Sequence, residues 1–501
     1  MCTVLAAKKH LLIGICIALL SAVLTSAQSP TPDSKTVLDG FDSEVENTMN
    51  KLHVPGAAVG VIEGDKIILA KGYGIRELGK SDHVTPDTMF AVGSLTKSFT
   101  AAVMAILVDQ GKLEWDKPVR NYLPDFQLYD PIATQLVTPR DLLTHRSGLP
   151  RHDFIRVSTY LSREELLLRL RYLEPNLTFR EGFQYNNLMY VAAGYMAGRV
   201  AGTTWEDLVK QTLFVPLGMT SSNTSVTDSQ QSGNFARPHL LEHGNVKTTE
   251  FYNYQQFGIG PNGAVNSTIN DFLKYLQMHL DQGTVRGKHI ISARELTELH
   301  RPAELAYGNT NYALGWFVQS YHGHLILQHG GAITGFTSQV ILIPDAHVGI
   351  VVFNNLESSL PHILAYSLAD RFLGLETHDY LAEAESKDKA DTETEEQERK
   401  KLDSGRIANA PPTLNLSAYA GDYFHPAYGT IHVVQDGQEL RVKFDALELQ
   451  LKHYNFDWFQ IESDYVDSKR LAQFHIDEHG EATQLLLPLE PTVKPFVFTR
   501  K

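Results

Sequence analysis

Between Thr377 and Pro412 the chain is nearly free of large apolar side chains and becomes a run of charge. Glu383, Glu385, Glu393, Glu395, Glu396 and Glu398 are interspersed with Lys387, Lys389, Lys400 and Lys401. Such a stretch has nothing to bury, so it reads as a solvated helix or flexible linker, closed by Pro411 and Pro412. A core must therefore form on each side of it. The reading is a larger domain over 28–376, an acidic linker over 377–412 and a smaller domain over 413–501. A chain of 501 residues, 43% of them hydrophobic, is long enough and apolar enough for both.

Before the break, strand and helix patterns are mixed. Ala57 to Ile62 and Lys66 to Ala70 are β-branched runs joined by Glu63-Gly64-Asp65, which is hairpin chemistry. Phe99 to Asp109 is apolar all round and reads as a buried helix. Leu188 to Val200 and Trp205 to Leu213 also have helical spacing. Thr268 and Asp271 make a capping box for a helix ending at Leu280. His324 to Gln328, Ser338 to Leu342 and His347 to Asn354 read as strands, with turns at Gly330-Gly331 and Pro344-Asp345, before a helix from Leu360 to Phe372. Strands at both ends with helices between predict one antiparallel sheet closed by the two ends of the domain and flanked by helices, an α/β (α+β) arrangement. After the break the pattern is all β: eight short strands between Tyr419 and Arg500, with turns such as Asp436-Gly437 and His479-Gly480. That density predicts a small barrel or sandwich.

Charge and cysteine content narrow the class. The 44 basic and 58 acidic side chains leave a net charge of -14, with no basic surplus to neutralise a phosphate backbone, so nucleic acid is not an expected partner. Met1 to Ala27 reads as a secretory signal: Lys8 and Lys9, an apolar run from Leu11 to Leu24, then small residues ending at Ala27. The alternative is an uncleaved membrane anchor. Cleavage would remove both cysteines, Cys2 and Cys16, leaving none for disulfides, metal thiolates or a thiol nucleophile. The expected location is secreted, without a membrane after cleavage. Asn176, Asn223, Asn266 and Asn415 begin Asn-x-Ser/Thr triplets, which are glycan acceptors in a eukaryotic secretory pathway.

Three elements carry chemistry. Ser94 and Lys97 stand three residues apart at the start of the buried helix, where the amine can reach the hydroxyl. A serine hydroxyl needs a base to become a nucleophile, and a lysine in an apolar cleft can lose its proton to serve. Tyr185-Asn186-Asn187 precedes the helix from Leu188. Its phenol is a usable base only if cations lower its pKa, while the Asn187 amide can donate to a substrate carbonyl and hold the lysine through its oxygen. The competing reading is a core tyrosine beside an N-capping asparagine. His329-Gly330-Gly331-Ala332 ends a strand, and its glycines let a substrate backbone approach. The Ala332 N–H, with that of Ser94, makes a candidate oxyanion hole.

These elements, in this order, resemble the serine β-lactamase and penicillin-binding-protein superfamily, in particular its class C and D-alanyl-D-alanine carboxypeptidase-like branch. Gly111-Lys112-Leu113, Tyr122-Leu123-Pro124, Leu142 to Leu149, Pro216-Leu217-Gly218-Met219 and Tyr312 to Trp316 add to the likeness, which runs from about Ser43 to Leu375. The resemblance implies Ser94 as the acylated nucleophile, Lys97 and Tyr185 as the proton-transfer pair, and Asn187 as a substrate clamp. Ala332 and Ser94 supply the oxyanion donors, His329 takes the third-motif position and with Gly330, Gly331 and Ala332 binds substrate, and neither metal nor cofactor is needed. Histidine there commits the site less to substrate carboxylates than a lysine would. His145, in the Leu-Thr-His-Arg-Ser-Gly loop, is expected to be structural. The tail from Leu414, with Tyr419 to Tyr423 and Tyr428-Gly429, resembles a lipocalin-like domain whose default role is docking. The expected function is a secreted serine hydrolase of a small-molecule or peptide ester or amide, including D-amino-acid and β-lactam-like bonds. The alternative is an extracellular matrix or binding protein, for example of a shell or biomineral, that keeps the fold without essential turnover.

Overall fold

The computed structural model describes residues 34–252, 258–463, 466 and 470–501. The segment read as a signal, 1–27, lies outside them. The first domain is built on an eight-stranded antiparallel sheet. Helix α1 (Phe41–Lys51) leads into the hairpin β1 (Gly56–Glu63) and β2 (Lys66–Gly74). The helices α2 (Thr96–Asp109), α3 (Asp153–Ser158), α4 (Asn187–Ala201) and α5 (Ile269–Leu280) follow. Six strands complete the sheet: β3 (Glu304–Tyr307), β4 (Thr310–Tyr312), β5 (Phe317–Tyr321), β6 (His324–Ile333), β7 (Phe336–Ile343) and β8 (Val348–Asn354). Their order is β2-β1-β8-β7-β6-β5-β4-β3, so the last strand of the domain pairs with the first, Val59 facing Val352. Helix α6 (Leu360–Leu373) packs back on the sheet.

Both faces of this sheet are covered, and alternation sorts the side chains between them. Val59, Val61, Ile350, Val352, Ile341 and Ile343 face α1 and α6. Ala58, Ile62, Val351, Phe353, Val340 and Leu342 face α2 and α5. Their strands therefore read as continuous apolar runs rather than as half-polar alternation.

Three expectations are corrected. Gly330-Gly331 is not a turn: β6 runs through both glycines to Ile333, and the chain reverses at Thr334-Gly335, where Gly335 has φ +73. Strands β3 to β5 carry too little apolar alternation to read as strands, and they extend the sheet at its far edge. The Thr268 cap is half of a capping box. Its hydroxyl accepts from the Asp271 N–H, but the Asp271 carboxylate takes the N–H groups of Ser221 and Ser222 instead of returning to Thr268.

The charged stretch forms the 25-residue helix α7 (Tyr380–Ser404), which has no buried residue. Beyond it, eight antiparallel strands close into a barrel: β9 (Gly421–His425), β10 (Gly429–Asp436), β11 (Glu439–Lys443), β12 (Glu448–Asn455), β13 (Trp458–Glu462), β14 (Leu471–Ile476), β15 (Ala482–Leu487) and β16 (Phe496–Arg500). Its interior is filled by side chains, among them Tyr419, Tyr423, Phe459 and Phe474, with ring centroids of 4.8 Å for Tyr419–Phe474 and 5.5 Å for Phe459–Phe474. An eight-stranded barrel is just wide enough to be packed in this way.

One end of the barrel seats on the first domain at α3. Phe154 meets Phe444 at 5.0 Å and Tyr428 at 6.1 Å between ring centroids. The Glu490 carboxylate accepts the His152 N–H at 2.8 Å, and the Ala446 N–H donates to the Ser158 carbonyl at 3.1 Å. Arg169, on the helix Arg163–Arg169, donates to the Pro426 carbonyl at 2.7 Å.

Of the glycan triplets, Asn176 and Asn415 are exposed and Asn223 is half-buried. Asn266 is buried, its Nδ2 donating to Asn223 Oδ1 at 3.0 Å, so no sugar can reach it in the folded chain. Asn266 is therefore withdrawn as an acceptor. Among the described residues no helix is long and apolar enough to cross a membrane.

Candidate active site

A tight turn, Gly93–Leu95, delivers the chain into α2. Gly93 takes φ +53, which glycine alone adopts without strain. A Cβ there would also lie 2.8 Å from the Ala332 nitrogen, so the turn rests directly against β6. Ser94 is half-buried at the cleft, and Lys97, one turn later, is fully buried. Lys97 Nζ lies 3.0 Å from Ser94 Oγ, 2.8 Å from Asn187 Oδ1 and 3.0 Å from the Asn262 carbonyl. Burial disfavours the ammonium, and the charges of Arg151 and Arg156 add to it, holding Lys97 well below the ordinary lysine range.

Tyr185 and Asn187 are placed by the start of α4. Asn186, rather than Asn187, is the N-cap, its Oδ1 accepting the Met189 N–H at 2.9 Å. The capping asparagine and the asparagine that holds Lys97 are thus adjacent residues. Asn187 holds Lys97 through its oxygen and gives one amide N–H to Asp153 Oδ1 at 2.9 Å, leaving its second N–H for the cleft. The Tyr185 ring centroid is 4.8 Å from Lys97 Nζ and 5.4 Å from the Arg151 guanidinium. Burial nonetheless pushes the phenol up, outweighing the hydrogen bond to Ser94 and the Arg151 charge. Cations do not bring Tyr185 into its working range as a resting base; it stays a phenol.

His145 is tied to the same segment. It sits in the left-handed region at φ +60, accepts the Asn186 N–H on Nδ1 at 2.9 Å, and lies tilted against Tyr185 with centroids 4.4 Å apart. Burial, with the Lys97 charge behind it, keeps the ring neutral. Its contacts are those of a positioning group.

Strand β6 forms the other wall. Its partner β5 pairs only with His324 to Gln328, so His329 to Ile333 present an unpaired edge although β6 lies inside the sheet. Gly93 meets Ala332 there, and Gly331 packs so tightly that a Cβ would lie 2.1 Å from the Val92 carbonyl and 3.2 Å from the Ser94 nitrogen. Ser94, Tyr185, Asn187, Gly330, Gly331 and Ala332 line one cavity of about 390 Å³. His329 does not line it. Its side chain is buried, with Nδ1 2.6 Å from the Gly330 carbonyl and Nε2 3.1 Å from the Tyr312 hydroxyl. Burial, reinforced by the Lys97 charge, lowers its pKa to about 3. The expectation that the His329 side chain binds substrate is corrected: it is a neutral strut behind the strand.

The sheet, the buried Ser-x-x-Lys turn and the cleft define a β-lactamase-type serine hydrolase fold. The family model described as Beta-lactamase matches residues 41–370, and the chain belongs to that family. A second family model, a domain of unknown function (DUF3471), matches residues 405–500. The unguisins hydrolase ungD' of Aspergillus campestris (strain IBT 28561) is 32% identical over 436 residues, spanning 81% of this chain and 80% of that protein. Among solved structures, the octameric penicillin-binding protein homologue of Pyrococcus abyssi superposes with a TM-score of 0.63 at 22% identity, covering 92% of this chain and all of that one. The D-amino acid amidase of Ochrobactrum anthropi SV3 gives 0.57 at 23% identity over 68% of this chain and 98% of its own.

Sequence reasoning missed Asn262, Asp153, Arg151 and Arg156. Asn262 acts through its backbone, which no side-chain pattern advertises, although Pro261-Asn262-Gly263 is a turn signal. The other three follow Leu149 within seven residues, and their charges in an otherwise apolar loop were the available sign.

Proposed function

We propose that the protein is an exported serine hydrolase that cleaves an ester or amide bond through an acyl-Ser94 intermediate. The observation that carries this reading is the 3.0 Å approach of a desolvated Lys97 amine to Ser94 Oγ at the floor of an open cleft. Neutral Lys97 takes the Ser94 proton as Oγ attacks the substrate carbonyl carbon, and the N–H groups of Ser94 and Ala332 face the oxyanion that develops. The proton passes through the Tyr185 phenol to the leaving group, and the tetrahedral adduct collapses to the acyl-enzyme. Water then attacks the ester carbonyl, gives its proton to the same pair and releases Ser94. Asn187 holds the lysine in place and offers an N–H to the substrate. The basic-then-apolar segment ending at Ala27 supports export, and the hydrolase-named relative supports hydrolytic chemistry.

A fluorophosphonate probe is expected to add one adduct mass to the purified chain and none to Ser94→Ala, read by intact-mass spectrometry. A folded wild-type chain that resists the probe would remove this reading and favour the matrix role. The pH profile carries a second expectation. Only the unprotonated amine can accept the Ser94 proton, so kcat/KM falls as pH drops through the Lys97 pKa and levels off above it. Because that pKa is held well below 10.5, the midpoint of this acid limb belongs well below 10.5; a limb centred at the ordinary lysine value contradicts Lys97 as the base.

A further inference from the structure

The cavity is lined by two arginines and no carboxylate among the described residues. Arg151 lies two residues before α3, next to its N-cap His152, and Arg156 lies within it. Both clasp Asp153: Arg151 Nε and Nη2 approach Oδ2 at 2.7 Å, and Arg156 Nε approaches Oδ1 at 2.8 Å. Asn187 Nδ2 also donates to Oδ1, so the Asp153 oxygens are occupied. Burial alone would raise Asp153, but Arg156 and Arg151 hold it below the usual carboxylate range, fully ionised. One carboxylate between two guanidinium groups leaves one positive charge uncompensated. Among the described residues neither guanidinium pairs with any other carboxylate; Glu490 instead accepts the backbone N–H groups of His152 and Thr492.

The strand wall supplies no cation, since His329 is neutral and buried behind it. The positive charge of the cleft therefore comes from the α3 wall, beside Tyr185 and Asn187. Arg156 is largely enclosed, whereas the Arg151 side chain is 55% exposed and open to solute. Planar guanidinium forks match a carboxylate, and a surplus of one positive charge matches a monoanion.

We propose that Arg151 and Arg156 form a carboxylate subsite, so that the enzyme selects ester or amide substrates bearing a carboxylate near the scissile bond. The proposal rests on the serine-hydrolase reading and adds the substrate class to it.

The test uses the full chain and two matched pairs of esters, above the acid limb of the pH profile. The N-succinyl and N-succinamoyl p-nitrophenyl esters of phenylalanine differ by a carboxylate on the acyl side. Meta-carboxyphenyl and meta-carbamoylphenyl acetate differ by one on the leaving side. In at least one pair the carboxylate member is expected to have a kcat/KM about tenfold higher, carried mainly by KM. Arg151→Gln should bring that ratio close to one, and Arg151→Lys should keep part of it. Arg151 is exposed enough for both variants to fold. Equal rates within both pairs, no turnover of either pair by an enzyme that takes the fluorophosphonate, or a ratio unchanged in Arg151→Gln and Arg156→Gln alike, overturns the subsite and leaves the hydrolase reading standing. An enzyme that neither hydrolyses the esters nor takes the fluorophosphonate overturns both.

Discussion

Lys97→Met is expected to lower kcat/KM by about 10²–10⁴, the usual contribution of a general base, while the melting temperature moves by only a few degrees. The two halves of the expectation have separate causes. Methionine has nearly the length of lysine and no charge to desolvate, so its thioether can fill the space between Ser94, Asn187 and Asn262. Leaving Asn187 Oδ1 and the Asn262 carbonyl without their donor costs about 1–3 kcal/mol, offset by relief from keeping an amine in a buried site. Ser94 meanwhile loses its proton acceptor, and Tyr185, pushed up by burial, is no substitute. Steady-state kinetics beside a thermal melt monitored by circular dichroism check both halves. Turnover that survives with the fold intact would remove Lys97 from its role.

Gly331→Ala should lose about 10²–10³ in kcat, the usual cost of an oxyanion donor, and slow fluorophosphonate labelling in proportion. The residue does not sit in the left-handed region; what it lacks is room. An added methyl would lie 2.1 Å from the Val92 carbonyl and 2.3 Å from Ser338 Oγ, so β6 must back away from the turn that carries Ser94. The Ser94 and Ala332 N–H groups then no longer converge on one oxygen. Gly330→Ala, one residue earlier, is the internal comparison, since its methyl would first meet Gln339 Oε1 at 3.3 Å. The loss there is expected to be much smaller, and equal losses at the two glycines would point to general damage to the strand.

The proposed catalytic elements were legible because each combines a residue type with a local structure that periodicity reveals. A serine and a lysine at the mouth of an apolar helix, and an asparagine at the start of another, can be placed before any fold is known. Tail strands were readable for the same reason, Ile431/Val433 and Leu440/Val442 alternating into the barrel core. What escaped depends on distant partners. Gly330-Gly331 looked like a turn because two glycines usually break a strand, yet here they let β6 pass close under Val92 and Ser94. His329 looked like a cleft residue, but its direction is set by Tyr312, seventeen residues away on β4. Arg151 and Arg156 acquire meaning only when Asp153 and Asn187 meet, and that contact spans 34 residues.

Under the proposed carboxylate subsite, the seating of the barrel on α3 gives the tail a say in selectivity. Phe154 is clamped by Phe444 and Tyr428, and the residue beside it, Asp153, is the one that both arginines grip. Changes in loops of the barrel that touch no substrate can thus reach the guanidinium pair through Asp153 and, because Asn187 bonds both Asp153 and Lys97, the catalytic amine as well. A packing contact between the two domains therefore lies one residue from the carboxylate that joins the arginines to the Ser94–Lys97 pair.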